Sequence, residues 1–136
     1  MVGLVLDSSI ALSWCLPDED RTDEIQQEVS RSGAIVPAPW PLEVANALLM
    51  AERRQRITAD FRNSALRDLA TLPIVLDSLT SVRAWHETLR LAEGCRLTVY
   101  DAAYLELAQR HALPLATLDA GLRLAAQALG VGVLGH

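Results

Sequence analysis

The sequence contains no lysine: all 12 basic residues among its 136 residues are arginines. This absence excludes Schiff-base catalysis by a lysine amine and the phosphate-binding lysine of P-loop enzymes. It also excludes the receiver domains of response regulators, which need a lysine in their acidic site. Any acidic site in this protein therefore works without a lysine partner.

Cysteines and aromatic residues are few. Cys15 and Cys95 are the only cysteines, and no CxxC motif or cluster of Cys and His is present. A zinc site is therefore not expected. Aromatic residues make up 4% of the chain and hydrophobic residues 51%, which predicts a core built mainly from leucine, alanine, valine and isoleucine. The three tryptophans, Trp14, Trp40 and Trp85, are expected in the core or at an interface.

Long apolar runs are also missing. No run approaches the roughly 20 residues that a membrane span needs, and the opening VGLVL is too short for a signal peptide. We expect a cytoplasmic protein with no membrane partner, formed by a single domain over residues 1–136. The net charge of −5 argues against a general attraction to nucleic acid, but it permits a local basic rim.

Short apolar segments alternate with segments of helical periodicity along the whole chain. Strands are predicted at 3–6, 34–36, 74–76, 115–117 and 131–134. Helices are predicted up to Trp14, at about 20–31, 41–54, 81–92 and 99–112, and from the caps Thr58 and Asp119 to Ala70 and Leu129. The strands are apolar throughout and do not alternate in polarity. They therefore predict an α/β fold, with a mainly parallel sheet covered by helices on both faces.

Local signals suggest how three of these helices are bounded and oriented. Asp18, Glu19 and Asp20 are expected to open the second helix, and Gly94 is expected to end the helix at 81–92. The helix at 41–54 is expected to bury a broad apolar face, formed by Leu42, Ala45, Leu48, Leu49 and Ala51.

Four acids stand at the ends or beginnings of these elements. Asp7 and Asp119 follow buried strands, and ligands of open parallel sheets bind beyond the carboxyl ends of the strands. Glu43 falls in the first turn of a helix. Asp101 lies three residues after Thr98, as in a capping box. Each acid alone is better explained as a helix cap or a dipole partner, but the set predicts a carboxylate cluster at one edge of the sheet.

A cluster of four ionised carboxylates would require a cation. Like charges within several ångströms repel one another and raise some of the pKa values. A hard divalent ion, Mg²⁺ or Mn²⁺, accepts carboxylate oxygens and removes that repulsion. A bound ion of this kind lowers the pKa of a water, orients a phosphate and stabilises a leaving oxygen, so the cluster suits phosphodiester hydrolysis.

Three polar residues near the acids are candidate helpers. Ser9 lies two residues after Asp7, and Thr117 lies two residues before Asp119. Either hydroxyl could hold a metal-bound water or a phosphate oxygen. Asn46 is about one turn from Glu43 on the same helix and could orient its carboxylate. An ordinary capping or packing role is the alternative for each of the three.

Four segments together resemble one known family. They are VLDSSIALSWCLPDED, PAPWPLEVANALL, LTVYDAAYLELAQRHALPLATLD and LRLAAQALGVGV. They resemble the PIN-domain ribonucleases, and within them the toxin component of VapBC-type toxin–antitoxin modules. The resemblance implies a three-layer α/β/α fold with about five short strands. It also implies an endoribonuclease that uses one or two Mg²⁺ or Mn²⁺ ions, forms a homodimer and is blocked by an antitoxin protein.

The resemblance also implies roles for single residues. The four family acids fall on Asp7, Glu43, Asp101 and Asp119, the family hydroxyls on Ser9 and Thr117, and the family asparagine on Asn46. We expect Asp7 and Asp101 to hold the main ion directly. Glu43 and Asp119 are expected to complete the shell, directly or through water.

A group of arginines offers a possible contact for RNA or the antitoxin. Arg53, Arg54 and Arg56 follow one another closely, with Arg62 and Arg67 on the next helix. They would form a rim that contacts phosphate groups or antitoxin side chains. The alternative is a helix face that is simply solvated.

The same acids are open to other interpretations. Phosphatases of the haloacid dehalogenase type need a second Asp two residues after the nucleophile. Ser9 stands at that position, which argues against this class of enzyme. A non-catalytic PIN-like module that binds RNA or protein remains an alternative. So does an RNA-processing nuclease outside any toxin–antitoxin system. A short reading frame for an antitoxin immediately upstream would favour the toxin.

Overall fold

Five short parallel strands form the centre of the molecule, which is a computed structural model describing residues 2–17 and 22–135. The strand order is β3-β2-β1-β4-β5, and every neighbouring pair is parallel. The strands are β1 (Leu4–Leu6), β2 (Ala34–Val36), β3 (Ile74–Leu76), β4 (Leu115–Ala116) and β5 (Val133–Leu134). The predicted parallel sheet is confirmed, although β1, β4 and β5 are shorter than expected.

Helices connect the strands and cover both faces of the sheet. They are α1 (Ser8–Cys15), α2 (Asp23–Ser32), α3 (Trp40–Arg53), α4 (Ala59–Ala70), α5 (Thr80–Arg83), α6 (Leu89–Cys95), α7 (Val99–His111) and α8 (Ala120–Ala128), with a π-helical turn at Ala84–Thr88 between α5 and α6. Crossovers from β1 to β3 move one way across the sheet, and those from β3 to β5 move the other way. Because such crossovers are right-handed, α1–α4 cover one face and α5–α8 the other. None of the helices in the described part is long and apolar enough to cross a membrane.

The central strand marks the point where the chain changes direction across the sheet. β1 pairs with β2 on one side and with β4 on the other, and all three of its residues are buried. In open α/β sheets, ligands bind beyond the carboxyl end of the strands at this switch point. Asp7 is the first residue beyond β1, so the fold places it at the edge where a ligand site is expected.

The helix caps that depend on neighbouring residues form as predicted. The Thr58 hydroxyl accepts a hydrogen bond from the Phe61 N–H at 3.1 Å. At the start of α8, Oδ2 of Asp119 accepts one from the Leu122 N–H at 2.8 Å. Each cap satisfies a backbone donor that the first turn leaves unpaired.

The predicted apolar face of α3 is partly wrong. Leu42 is 76% exposed and Ala45 is also exposed. The side of α3 that packs on the core instead carries residues three or four positions apart: Trp40, Val44, Leu48 and Ala51. The helix begins one residue earlier than predicted, and the burial of Trp40 and Val44 sets which side faces inward. Leu42 and Ala45 are consequently left in solvent.

The helix predicted at 81–92 is longer and less regular than expected. It runs from Thr80 to Cys95 and includes the π-helical turn. Gly94 lies inside its last turn, so the prediction that this glycine ends the helix is wrong. Arg96 ends it instead, in the left-handed conformation (φ 56°) that usually selects glycine. The predicted opening of the second helix at 18–20 lies outside the described residues, and α2 begins at Asp23.

A buried ion-pair network joins the end of β3 to α7. The Arg110 guanidinium donates to both carboxylate oxygens of Asp77, from Nη1 to Oδ1 at 2.9 Å and from Nη2 to Oδ2 at 2.7 Å. The same guanidinium donates to Glu106 at 2.8 Å and 3.0 Å, and Glu106 also accepts from Arg83 at 3.1 Å. The hydrogen bonds from Arg110 are the main reason why the pKa of Asp77 falls to about 2. No sequence signal had assigned these four residues a role.

Candidate active site

Asp7 is the most buried acid of the candidate site, with 5% of its surface exposed. It occupies the N-cap position of α1, yet its side chain makes no capping hydrogen bond. Its Oδ2 instead accepts hydrogen bonds from the Ser9 hydroxyl at 2.6 Å and from the Thr117 hydroxyl at 2.7 Å. The capping explanation that the sequence allowed for Asp7 therefore does not account for the position of its carboxylate.

The direction of these two hydrogen bonds follows from the backbone. The Leu118 N–H donates to the Ser9 hydroxyl oxygen, and the Asp119 N–H donates to the Thr117 hydroxyl oxygen, both at 3.0 Å. Each hydroxyl has one proton to donate, and that proton points to Asp7. The loop after β4 thus fixes both hydroxyls, which hold Oδ2 and leave Oδ1 without a side-chain donor among the described residues.

Glu43 is held from the other side by a buried phenol. The Tyr104 hydroxyl donates to Glu43 Oε1 at 2.5 Å, which joins α7 to the first turn of α3. The Tyr104 side chain is fully buried. Burial, and then the charge of Asp7, raises the pKa of Tyr104 far above its ordinary value, so the phenol keeps its proton at neutral pH.

Asp101 and Asp119 stand at the starts of two helices on the same side of the sheet. The Thr98 hydroxyl accepts from the Asp101 N–H at 3.1 Å and caps α7, which leaves the Asp101 carboxylate half-buried. Asp119 is exposed, and one of its oxygens caps α8. The capping role expected for Asp119 and its proposed role at the site are thus carried by the same side chain.

The four carboxylates act on one another electrostatically. The pKa of Asp7 is raised by burial and by the charge of Asp119. The pKa of Glu43 is raised by burial and by the charges of Asp7 and Asp101. For Asp101, burial again raises the pKa most, followed by the charges of Asp119 and Asp7. The fold therefore places the four predicted acids close enough for their negative charges to affect one another.

The chemistry of this donor set fits a hard divalent cation. All four groups are oxygen ligands, with no histidine or cysteine between them. Within 2–17 and 22–135, no arginine or histidine forms an ion pair with any of the four. In the same part of the chain, no three Asp, Glu, His or Cys side chains lie close enough to hold a metal ion as they stand. A cation would have to draw the carboxylates together against their repulsion.

Other predicted site residues lie differently from the expectation. Asn46 is exposed, and the described residues show no hydrogen bond from it to Glu43. The expected role of Asn46 in orienting Glu43 therefore stays a prediction, and the side chain that donates to Glu43 in the described residues is Tyr104. Arg53, Arg54 and Arg56 are exposed at the far end of α3. Ten residues of helix place Arg53 about 15 Å along the axis from Glu43. The three arginines therefore belong to a surface separate from the acids, and their contact with RNA or antitoxin stays a prediction.

Tyr104 was not among the predicted site residues, although the sequence contains a signal for it. Tyr104 follows Asp101 by three residues on α7, and residues at that spacing share a helix face. A tyrosine on the same face as a candidate metal ligand could therefore have been named as a partner of the site. Its contact with Glu43 could not, because that residue is 61 positions away in the chain.

Comparisons with known proteins agree on one family. The model of the PIN domain matches residues 4–128. Ribonuclease VapC3 of Mycobacterium tuberculosis is 31% identical over 120 residues, which cover 85% of this chain and 82% of that protein. Two crystal structures share the fold. PAE2754 from Pyrobaculum aerophilum has a TM-score of 0.72 at 21% identity and covers 98% of this chain and 84% of its own. FitAcB from Neisseria gonorrhoeae has a TM-score of 0.62 at 15% identity, and the match covers 97% of this chain and 96% of that chain.

Proposed function

The chain belongs to the PIN-domain family, and we propose that it is a metal-dependent endoribonuclease, the toxin of a bacterial type II toxin–antitoxin system. The observation that carries the proposal is the group of four electrostatically coupled carboxylates at the switch point of the sheet, without a basic partner among the described residues. The similarity to a ribonuclease named VapC3 supports RNA as the substrate. It also supports an antitoxin as the natural inhibitor.

Within this proposal, each acid has a defined task. Asp7 and Asp101 would hold Mg²⁺ or Mn²⁺ directly, and Glu43 and Asp119 would complete the shell or admit a second ion. The bound ion would activate water and neutralise charge that develops on the phosphate. Ser9 and Thr117 keep the Asp7 carboxylate in one orientation, since both of their protons point to its Oδ2.

The proposed reaction is hydrolysis of a phosphodiester bond. The water oxygen attacks the phosphorus in line with the bond to the 3′ oxygen, and that bond breaks. The products carry a 5′-phosphate and a 3′-hydroxyl. A ribonuclease that used the neighbouring 2′-hydroxyl as nucleophile would instead leave a cyclic phosphate, so the product ends report directly on the reaction.

Removal of divalent ions should stop the reaction. Purified protein free of antitoxin would be incubated with structured RNAs in Mg²⁺ or Mn²⁺, in EDTA, and in EDTA followed by excess Mn²⁺. We expect cleavage with the ions, none with EDTA, and recovery on adding Mn²⁺, because the bound ion would both activate the water and neutralise the charge that develops on the phosphate. The Asp101→Asn variant should be inactive. Asp60→Asn, which changes an exposed acid on α4, should be active. Cleavage that is as fast in EDTA as in Mg²⁺ would contradict the proposal.

Two alternatives give different results in the same experiment. A non-catalytic PIN-like module would bind RNA but yield no fragments under any condition. An RNA-processing nuclease would cleave in the same metal-dependent way, but its expression without a partner would not arrest growth. Expression of the wild type alone and with the product of an upstream reading frame separates this alternative from a toxin.

We also propose that a second copy of the chain covers an exposed apolar helix face, formed by Val82, Trp85 and Leu89. Trp85 is 85% exposed, the largest exposure of any large hydrophobic side chain in the described part. The salt-bridged residues Glu87 and Arg90 on the same stretch of helix supply charges of both signs, so the face can complement itself across a twofold axis. A contiguous exposed apolar face of this kind marks an interaction site.

Replacement of Trp85 with Glu should convert the dimer to a monomer. A buried interface tryptophan is among the residues that contribute most to association, and a glutamate in its place would be desolvated next to its twofold mate. Light scattering coupled to size exclusion would measure the mass of both forms. Leu124→Glu on α8, where the leucine is 66% exposed, serves as the control and should leave the dimer intact. A monomeric wild type, or a dimeric Trp85→Glu variant, would refute the proposed interface.

A further inference from the structure

Tyr104 and Glu106 are the two polar residues in a buried stretch of α7. Residues 102–108 of α7 are all buried, and within this stretch the Tyr104 hydroxyl is the group that reaches the acid site. Its partner, Glu43 Oε1, lies 2.5 Å away. A hydrogen bond from a neutral hydroxyl to a carboxylate at this distance belongs to the short, strong class.

This hydrogen bond occupies one oxygen of Glu43 and leaves the other available. In the described part of the chain, Glu43 Oε2 has no hydrogen-bond donor. Asp7 shows the same arrangement, since two hydroxyls hold its Oδ2 while no side chain donates to Oδ1. In both acids, hydroxyls of the protein fix the carboxylate by one oxygen, and no side chain in the described part donates to the second.

The position of Tyr104 on α7 explains why it can act on this site. Asp101 is three residues earlier, so both side chains lie on one face of the helix. Asp101 is half-buried, and Tyr104, about one turn further along the helix, is fully buried. Glu43 is only half-buried and has three rotatable side-chain bonds. No other described residue donates a hydrogen bond to its carboxylate, so Tyr104 alone selects its orientation.

We propose that Tyr104 is a positioning residue that holds Glu43 by Oε1, so that Oε2 faces the divalent ion as a preset single-oxygen ligand. This inference rests on the proposed metal-dependent function. The alternative is that Tyr104 only fills space in the core. In that case Glu43 would bind an ion equally well without the Tyr104 hydroxyl. Fixing the ligand before the ion arrives removes the loss of side-chain freedom that binding would otherwise require.

The test compares Tyr104→Phe with Tyr100→Phe. Both variants remove one phenol oxygen from α7, but Tyr100 is 67% exposed and its hydroxyl makes no hydrogen bond within the described residues. Mn²⁺ binding to each metal-free protein would be measured by calorimetry, and RNA cleavage would be measured as a function of Mn²⁺ concentration. Thermal unfolding in EDTA would show whether each variant is folded.

We expect Tyr104→Phe to weaken Mn²⁺ binding about 10- to 100-fold, the usual effect of losing a residue that orients a metal ligand. Cleavage at low Mn²⁺ should fall by a similar factor and recover substantially at saturating Mn²⁺, while Tyr100→Phe matches the wild type. If Tyr104→Phe binds Mn²⁺ within about twofold of the wild type, the positioning role is overturned, even if its melting temperature falls. If the wild type itself neither binds Mn²⁺ nor cleaves RNA, the proposed function fails instead, and the inference falls with it.

Discussion

Replacement of Asp7 with Asn should abolish RNA cleavage and, at neutral pH without metal, make the protein more stable than the wild type. The loss of activity should be at least about a hundred- to a thousandfold, the scale observed when one electrostatic element of an active site is removed. The gain in stability follows from burial. Asp7 is almost fully buried, and burial raises its pKa above the ordinary value of 3.8, so its ionised form is disfavoured in the folded state.

The pH dependence of this effect has a definite sign. Because the pKa of Asp7 is higher in the folded protein than in the unfolded chain, the folded state binds the proton more tightly. The wild type therefore loses stability as pH rises from about 3.8 through the raised pKa of Asp7, and the loss is complete above it. The Asn side chain keeps an oxygen for the Ser9 and Thr117 hydroxyls but carries no charge. The difference between variant and wild type should be small at pH 4 and largest at pH 7 to 8.

Adding the metal should reverse this order of stability. An ion that binds only the folded wild type stabilises it by about 2.7 kcal/mol at a hundred times its dissociation constant, whereas Asp7→Asn should respond little. Thermal unfolding in EDTA and in Mn²⁺, at pH 4 and pH 7.5, measures all four conditions, with Asp60→Asn as the matched control on an exposed acid. If Asp7→Asn is less stable than the wild type in EDTA at pH 7.5, the ionised Asp7 carboxylate stabilises the fold. That result would contradict the expected destabilisation by its burial.

Replacement of Arg110 with Met should destabilise the protein by about 3–5 kcal/mol, because Asp77 would keep its charge in the core without an ionic partner and Glu106 would keep only Arg83. In a domain of this size, that corresponds to a fall in melting temperature of roughly 10–20 °C. The control is Arg90→Met, which breaks the exposed pair with Glu87, where the two side chains are 74% and 47% exposed. Such a surface pair contributes less than about 1 kcal/mol.

The network also predicts a pH dependence opposite to that of Asp7. The pKa of Asp77 is lowered from 3.8 to about 2, so its ion pair stabilises the fold above its ordinary pKa, and that contribution is lost as pH falls from about 4 towards 2. Denaturant unfolding of Arg110→Met, Asp77→Asn and the double variant would complete the cycle. The double variant should lose less stability than the sum of the two single losses. Additive losses, or a change of under 1 kcal/mol for Arg110→Met, would contradict the role of the network.

Features that depend on nearby residues could be predicted from the sequence. The caps at Thr58 and Asp119 need only a donor three residues away, and short apolar strands between helices favour a parallel sheet. That sheet places Asp7 and Asp119 at one edge, because β1 and β4 are neighbours and both acids follow the carboxyl ends of their strands. The cluster of acids was therefore predictable in outline, with Glu43 and Asp101 added by their positions in the first turns of helices, and the family resemblance pointed to the same four acids.

Features that join distant parts of the chain could not be predicted in the same way. The contact of Tyr104 with Glu43 spans 61 positions, and that of Thr117 with Asp7 spans 110. Such contacts depend on how α7 and the loop after β4 lie against the sheet, and no local pattern specifies this. The exposure of Leu42 has the same origin. The side of α3 that turns inward is set by the packing of Trp40 and Val44, and the composition of the helix leaves that choice open.

In the described part of the chain, the fold buries acids at the site without pairing them with a cation. Asp7 follows β1 and is buried, which disfavours its charge, and the three hydroxyls that hold Asp7 and Glu43 are neutral. The described residues supply no cation to these acids, although the same chain pairs Asp77 and Glu106 with Arg110 only a short distance along α7. Protein cations thus compensate the buried acids of the core, and we infer that a metal ion compensates those of the site.

Calorimetric titration of the metal-free protein with Mn²⁺ would show whether the four carboxylates bind a divalent ion. We expect saturable binding of one or two ions by the wild type and by Asp60→Asn, and no measurable binding by the Asp7→Asn, Asp101→Asn double variant. Mn²⁺ binding by the double variant with the affinity of the wild type would contradict the claim that these carboxylates form the metal site.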